Sequence, residues 1–210
     1  MSDAGPKRLT VTALPDEDGP QEMALQSDGQ DGTDADALAQ ALQGRPRTQV
    51  IPLKAVNELA TQVETVLREV FVQLERLLPS AELHHIGATA VPNAVTKGDV
   101  DVLVRVRGSD FGAAVAALRD HFAVKQPGNW TSEFASFGDD IRYALPLGVQ
   151  LVVTGSRDDF LLFLRDYLIA NKEALLQYNQ LKLAHAPDGA EAYWHAKNAF
   201  FAEILAARIV

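Results

Sequence analysis

The sequence predicts an α/β domain, and three patterns carry that prediction. Val56, Leu59, Val63, Val66, Leu67, Val70, Leu74 and Leu77 recur at the spacing of one helix face, up to the breaker Pro79. Short β-branched runs follow, the clearest at 99–106, where alternate residues face opposite sides of a sheet. Beyond Ser156 the helical spacing returns and continues to the end of the chain, with breaks near 170–171 and at 187–189.

Between these landmarks each element has its own signal. After the long helix, 82–86 reads as a strand, followed by a connection rich in Gly, Thr, Pro and Asn and then by the strand at 99–106. A helix is expected over 109–121 with Ser109 as its N-cap. Strands are expected at 122–125, 133–137, 141–145 and 149–153, with 146–148 as a hairpin turn. There are no internal repeats.

The chain has 210 residues, and a hydrophobic share of 47% is enough for one sizeable core. Two regions are expected: an acidic tail over 1–47 and a folded domain over 48–210. Nine acids and four bases give the tail a charge of -5 out of the total of -9. Between 14 and 44 the composition of Asp, Gly, Gln, Ala and Pro leaves too little apolar surface to offset chain entropy, so disorder is expected there. Residues 9–14 alternate weakly as an edge strand would, and 36–42 suit a transient helical turn. A second role for the tail, engaging a partner, stays open.

Charge and composition also exclude functions. The domain is left mildly acidic, with no basic field for extended nucleic acid. No apolar run reaches the roughly 18 residues that cross a bilayer, and the first residues do not read as a secretory leader, so the cytoplasm is the expected location. The absence of cysteine removes disulfides and thiolate metal sites, which leaves oxygen or imidazole ligands and favours hard ions such as Mg2+.

One arrangement points to chemistry. An apolar residue and Gly87-Ala88 end one strand, ten residues intervene, and Asp99-Val100-Asp101-Val102 opens the next. Residues two apart in a strand share a face, so Asp99 and Asp101 are expected side by side while Val100 and Val102 face the core. Adjacent carboxylates repel, and a divalent cation bridging them relieves the repulsion. Gly87 would let a phosphate approach the backbone, the amides and hydroxyl at Ala88 and Thr89 would donate to it, and Lys97 would neutralise its charge. Each part also has a structural reading: an exposed strand face, a turn glycine, a solvated lysine. It is the ordered combination that reads as a nucleotide site.

The run His85-Ile86-Gly87-Ala88-Thr89-Ala90-Val91-Pro92, with Lys97 and Asp101 downstream, resembles the signature of the GrpB family. Phe163 to Leu168 (FLRDYL), Tyr178-Asn179-Gln180-Leu181-Lys182, and Tyr193 with Lys197 are similar to that family's C-terminal motifs, so the resemblance covers about 50–210. It implies the fold of the nucleotidyltransferase superfamily: a small mixed sheet flanked by helices, with a helical C-terminal part closing one side of a cleft. It implies in turn Mg2+ on Asp99 and Asp101 as the catalytic pair. A nucleoside triphosphate is then expected at Gly87, Ala88, Thr89, Lys97, Gln150, Lys182 and Lys197.

Departures from the family pattern qualify the chemistry. Ala88 replaces the usual serine and removes a hydroxyl donor, and Asn93 replaces a glycine where Asn also tolerates left-handed geometry. Asp99 stands where many members carry an apolar residue, which strengthens the case for a metal. Superfamily transferases use a third carboxylate on a later strand, where this chain has Gln150, an amide that cannot act as a base. Glu133, Asp139 and Asp140 are alternatives, although each reads more simply as a surface acid. His84 and His85 are expected to place one imidazole in the core, and Trp130, Trp194, Phe200 and Phe201 to serve packing. Two functions stay open: nucleotidyl transfer to an unknown hydroxyl acceptor, or a nucleotide-binding or interaction module that performs no chemistry.

Overall fold

The computed structural model describes residues 50–207. The acidic tail, and the strand and helical turn expected at 9–14 and 36–42, lie outside the described residues.

A 3-10 turn at Val56–Leu59 leads into α1, Ala60–Leu77, whose Val63, Val66, Val70 and Leu74 are buried. Each contributes on the order of 2 kcal/mol by leaving water. The helix stops two residues before Pro79, which cannot continue it.

Seven strands occur among the described residues: β1 Lys54–Ala55, β2 Glu82–Ile86, β3 Val95–Thr96, β4 Val100–Val106, β5 Ala123–Lys125, β6 Phe134–Asp139 and β7 Leu147–Val153; β2 and β4 to β7 fall where strands are expected, and the two-residue β1 and β3 are not among the expected ones. β1 and β3 form a small antiparallel pair of their own. The main sheet has the order β2-β4-β7-β6-β5, with β4 and β7 parallel and the other pairs antiparallel. It is therefore a small mixed sheet, as the sequence led us to expect.

Period two divides the sheet into two faces. Val100, Val102, Val104 and Val106 join Leu147, Val149 and Leu151 in one core, against α1 and α2 (Phe111–Arg119). Ile86, Leu103, Phe134 and Val152 face the other way and receive Leu161 and Leu162 of α3 (Leu161–Ala170). Behind α3 lie α4 (Lys172–His185) and α5 (Ala190–Ala207), sharing a third core with Val91, Ala94, Leu164, Leu168, Tyr178 and Phe201. Asn171 caps α4 by accepting from the Ala174 amide, which explains the expected break at 170–171. No described helix is long and apolar enough to cross a membrane.

The structure corrects three local expectations. The stretch 141–145 is not a strand: Ile141 is 94% exposed, and the Asp139 carboxylate accepts from the amides of Ile141 and Arg142, turning the chain out of the sheet. Nor is 146–148 a hairpin turn, because Leu147 and Gly148 are the first residues of β7. Ser109 lies inside a 3-10 turn, Gly108–Asp110, so α2 starts later, with Asp110 at the N-cap position.

Candidate functional site

The site is built on the sheet face that α3 covers. On β4, Asp101 points to this face while Val100 and Val102 point into the α1 core. Its cross-strand neighbours are Ile86 of β2 and Gly148 of β7. A Cβ placed on Gly148 would lie 2.5 Å from Oδ1 of Asp101, and one on Gly87 would lie 3.0 Å from Asp101 Cβ and Cγ and overlap Oδ2. The carboxylate therefore occupies the side-chain space of two glycines. Gly87 is needed twice over, since its φ of 73° and ψ of -170° fall in a region only glycine adopts readily.

Beside this wedge is a half-open cavity of about 70 Å³. Its polar wall is Gly87, Asp101, Gln150, Arg165 and Lys197, and its apolar wall is Ile86, Leu161, Leu164, Leu168, Tyr178 and Phe201. Gln150 lies two residues beyond Gly148 and so on the same face as Asp101. Its Nε2 is 3.5 Å from the point a Gly148 Cβ would take, on the carboxylate's side, and its Oε1 is buried with no hydrogen-bond partner.

Asp99 is placed differently. β4 begins at Val100, so Asp99 stands on the approach to the strand, 3.7 Å from Lys97 Nζ, and is not among the residues lining the cavity. Its backbone carbonyl accepts from the Thr89 hydroxyl at 3.1 Å, and that hydroxyl also meets His85 Nε2 at 3.0 Å. Thr89 is thus buried behind the Gly87 turn, where it holds the approach to β4 in place. Burial, aided by the charge of Arg165, lowers the His85 pKa to about 4, so the imidazole is neutral at physiological pH. It is partly buried, short of the core position expected for one of the two histidines, and its ring meets the Thr89 hydroxyl. Asn93 does adopt the left-handed region, with φ of 65°.

Lysines gather on the Asp99 side. Trp194 carries Lys97 Nζ 4.7 Å and Lys197 Nζ 4.0 Å from its ring centroid. Lys182 is fully buried against the Tyr178 ring at 3.8 Å and donates to the Val95 carbonyl. Burial, with repulsion from Lys197, lowers its pKa to about 6 against the pull of Asp99. The family resemblance puts Lys182 among the nucleotide's contacts; here it is buried and bound to the backbone of the loop. It reaches the loop from behind rather than through the open cleft.

The substitute acids lie elsewhere. Asp139 shares the α1 face with Phe137 and pairs with Arg142 at 3.0 Å; Asp140 pairs with Lys125 at 2.6 Å; Glu133 sits at the opposite end of β7 from Gly148. Arg165, within the FLRDYL motif, lines the cavity, donates to the His85 carbonyl at 2.9 Å and pairs with Asp166. Gly148 is expected in a hairpin turn, and Asn179 enters only as part of a family motif. A glycine inside an apolar strand-like run was the available signal for the first.

Oxygen donors suited to a hard cation are present in the two oxygens of Asp101, the buried Oε1 of Gln150 and the neighbouring Asp99. No group of three or more His, Asp or Glu side chains that could hold a metal occurs among the described residues. These residues fit one cation on Asp101, on whose side Gln150 presents Nε2 and not Oε1, and not a cage of three acids.

A mixed sheet with an aspartate wedged between two glycines, facing a helical layer across a cleft, defines an α/β domain with a cleft on one sheet face. The chain belongs to the GrpB family: the family profile described as GrpB protein matches residues 53–207. A UPF0157 protein of Vibrio cholerae serotype O1 is 34% identical over 154 residues, covering 71% of this chain and 79% of the relative. The crystal structure of the conserved protein GrpB from Enterococcus faecalis is similar in fold, with a TM-score of 0.52 and 22% identity, covering 68% of this chain and 88% of that one. The Cid1 poly(U) polymerase with MgGTP bound gives a TM-score of 0.46 at 12% identity, covering 69% of this chain and 50% of that one.

Proposed function

We propose that this domain binds a nucleoside triphosphate in the cleft beside Asp101 and transfers its nucleotidyl group to a hydroxyl acceptor, in the cytoplasm. The observation that carries the reading is the Asp101 wedge. Gly87 and Gly148 both lack the side chain that would displace this carboxylate, so it stays in the wall of a cleft that also presents Lys197 and Arg165.

In this reading the phosphates rest against the backbone at Gly87 and Ala88, and Lys97 and Lys197 offset their charge. Thr89 and Lys182 support the loop instead of touching the ligand. Asp101, with Asp99 and Gln150 nearby, would hold Mg2+, which when bound supplies positive charge to the phosphates. The acceptor oxygen bonds the α-phosphorus as the bond from that phosphorus to the bridging oxygen breaks, and pyrophosphate departs with the electron pair. The hydroxyl proton leaves to solvent through the half-open cleft, because Asp101 would be committed to the cation and Gln150 is not a base.

Titration calorimetry with ATP, with and without Mg2+, tests binding, and α-labelled nucleotide tests transfer. Asp101→Asn is expected to abolish the Mg2+-dependent part of the affinity. Unchanged affinity in that variant overturns the reading. Gln150, standing where superfamily transferases carry an acid, favours a second reading of a binding module without chemistry. Nucleotide binding with no labelled product selects it.

A further inference from the structure

The cavity is apolar over much of its wall in a way a polyphosphate does not use. Leu161, Leu164 and Leu168 present one face of α3 to it, and Ile86 and Phe201 close the sides. Its polar wall holds Asp101 and Gln150 together with Gly87, Arg165 and Lys197. The Gln150 amide is turned by its surroundings: Nε2 faces the carboxylate side, which leaves Oε1 buried and unpartnered. A buried acceptor without a donor is costly, and the terminal torsion of glutamine is soft, so a small rotation toward the cavity is repaid by any donor waiting there.

We infer that this cavity is a binding site for a small alcohol: a compact aliphatic or alicyclic body against the leucines of α3, and one hydroxyl donating to Gln150 or Asp101. In calling that alcohol the acceptor, the inference rests on the nucleotidyl-transfer reading above. Three features favour this guest over the alternatives. At about 70 Å³ and half open, the space takes a compact, partly exposed body and not a whole nucleoside. Aliphatic walls would leave the ring nitrogens and exocyclic groups of a nucleobase unpaired. Asp101 and Gln150 offer acceptors to a hydroxyl beside apolar surface, while Arg165 and Lys197 on the same polar wall supply positive charge for a neighbouring phosphate.

The test uses the full chain and no nucleotide. Cyclopentanol and cyclopentyl methyl ether share a ring, but only the alcohol donates. Each is titrated while the methyl resonances of Leu161, Leu164 and Leu168 are followed by NMR. Cyclopentanol is expected to shift these methyls saturably and to bind about fivefold more tightly than the ether, the equivalent of one neutral hydrogen bond. Gln150→Leu is expected to erase that preference while keeping ring binding, and Leu164→Phe to abolish binding of both by filling the space. Equal affinity of the two probes, or no shift at these methyls, overturns the inference. Displacement of cyclopentanol by MgATP also overturns it, because the cavity would then belong to the nucleotide. A failure of MgATP binding alone sinks the nucleotide reading and leaves the alcohol site standing.

Discussion

Asp101 and Gly148 sit opposite each other on β4 and β7, and the aspartate's Oδ1 lies 2.5 Å from where a Gly148 Cβ would be. The glycine is there for its missing atom and not for its backbone freedom, since its φ is ordinary, unlike that of Gly87. Gly148→Ala therefore isolates the steric conflict, and we expect it to lower stability by about 1–3 kcal/mol, as overpacking does. In an Asp101→Ala background the same substitution should cost much less, because the offending carboxylate is gone. Urea midpoints of the four proteins of this cycle decide the matter, and strict additivity would refute the wedge.

Arg105 and Asp159 form the second fixed point. Arg105 Nε and Nη2 donate to Asp159 at 3.0 and 2.7 Å, the Gly155 amide adds a bond of 2.8 Å, and Arg105 also pairs with Glu82. This ties β4 and β2 to the turn that launches α3. Burial pushes the Asp159 carboxyl up, but the bonds from Arg105 and Gly155 and the Arg105 charge outweigh it and leave the pKa below its ordinary 3.8. The native state then binds this proton less readily than the unfolded chain, so the stabilisation is complete above about pH 3.8 and lost as pH falls through the native value. Asp159→Asn should cost roughly 1–3 kcal/mol at pH 7 and progressively less below pH 3.8 in urea titrations.

Lys182 gives a pH dependence of its own. Its amine is neutral in the folded protein above about 6 and protonated in the unfolded chain below the ordinary 10.5. Between those values unfolding takes up a proton, so this lysine makes stability rise with pH, by at most about 1.4 kcal/mol per unit. Denaturation of the native protein at pH 6.5 and 8.5 should show that rise, and Lys182→Met should flatten it. An unchanged slope would mean that the amine is charged in the folded state.

What could be read in advance follows from how local each signal is. α1 and β4 announce themselves because their buried residues repeat at fixed spacing, and β2 because it is bounded by Pro79 and Gly87. The stretch 141–145 misled for the same reason: Ile141, Tyr143 and Leu145 alternate like a strand, yet Asp139 turns the chain away before any neighbour is available. Asp101 and Gly87 were legible from their order along the chain. The pairing of Asp101 with Gly148 depends on β4 and β7 lying in parallel, a relationship between residues 47 apart that no local pattern contains. Lys182 is hidden for a related reason, since its burial depends on α4 packing over the loop at 93–95.

That packing supplies the last prediction. Asn179 of α4 grips the loop ahead of Lys97 with both ends of its amide: Oδ1 accepts from the Val95 amide and Nδ2 donates to the Asn93 carbonyl, each at 2.9 Å. Asn179→Asp keeps the acceptor but sets a carboxylate oxygen against the Asn93 carbonyl. We expect it to cost about 1–3 kcal/mol at pH 7, the range for leaving a polar partner unmatched. A carboxyl so placed gains by holding its proton, because the protonated form can donate to Asn93 and the charged form cannot, so its native pKa should lie above the unfolded value of about 3.9. The variant's deficit relative to the native protein should therefore shrink as pH falls from 7 toward 4, with Asn179→Leu, which has no proton to offer, showing no such recovery. Parallel urea titrations of the two variants at pH 7 and pH 4.5 make the comparison. Equal deficits at both pH values would mean that the Asn93 bond does not help hold the loop.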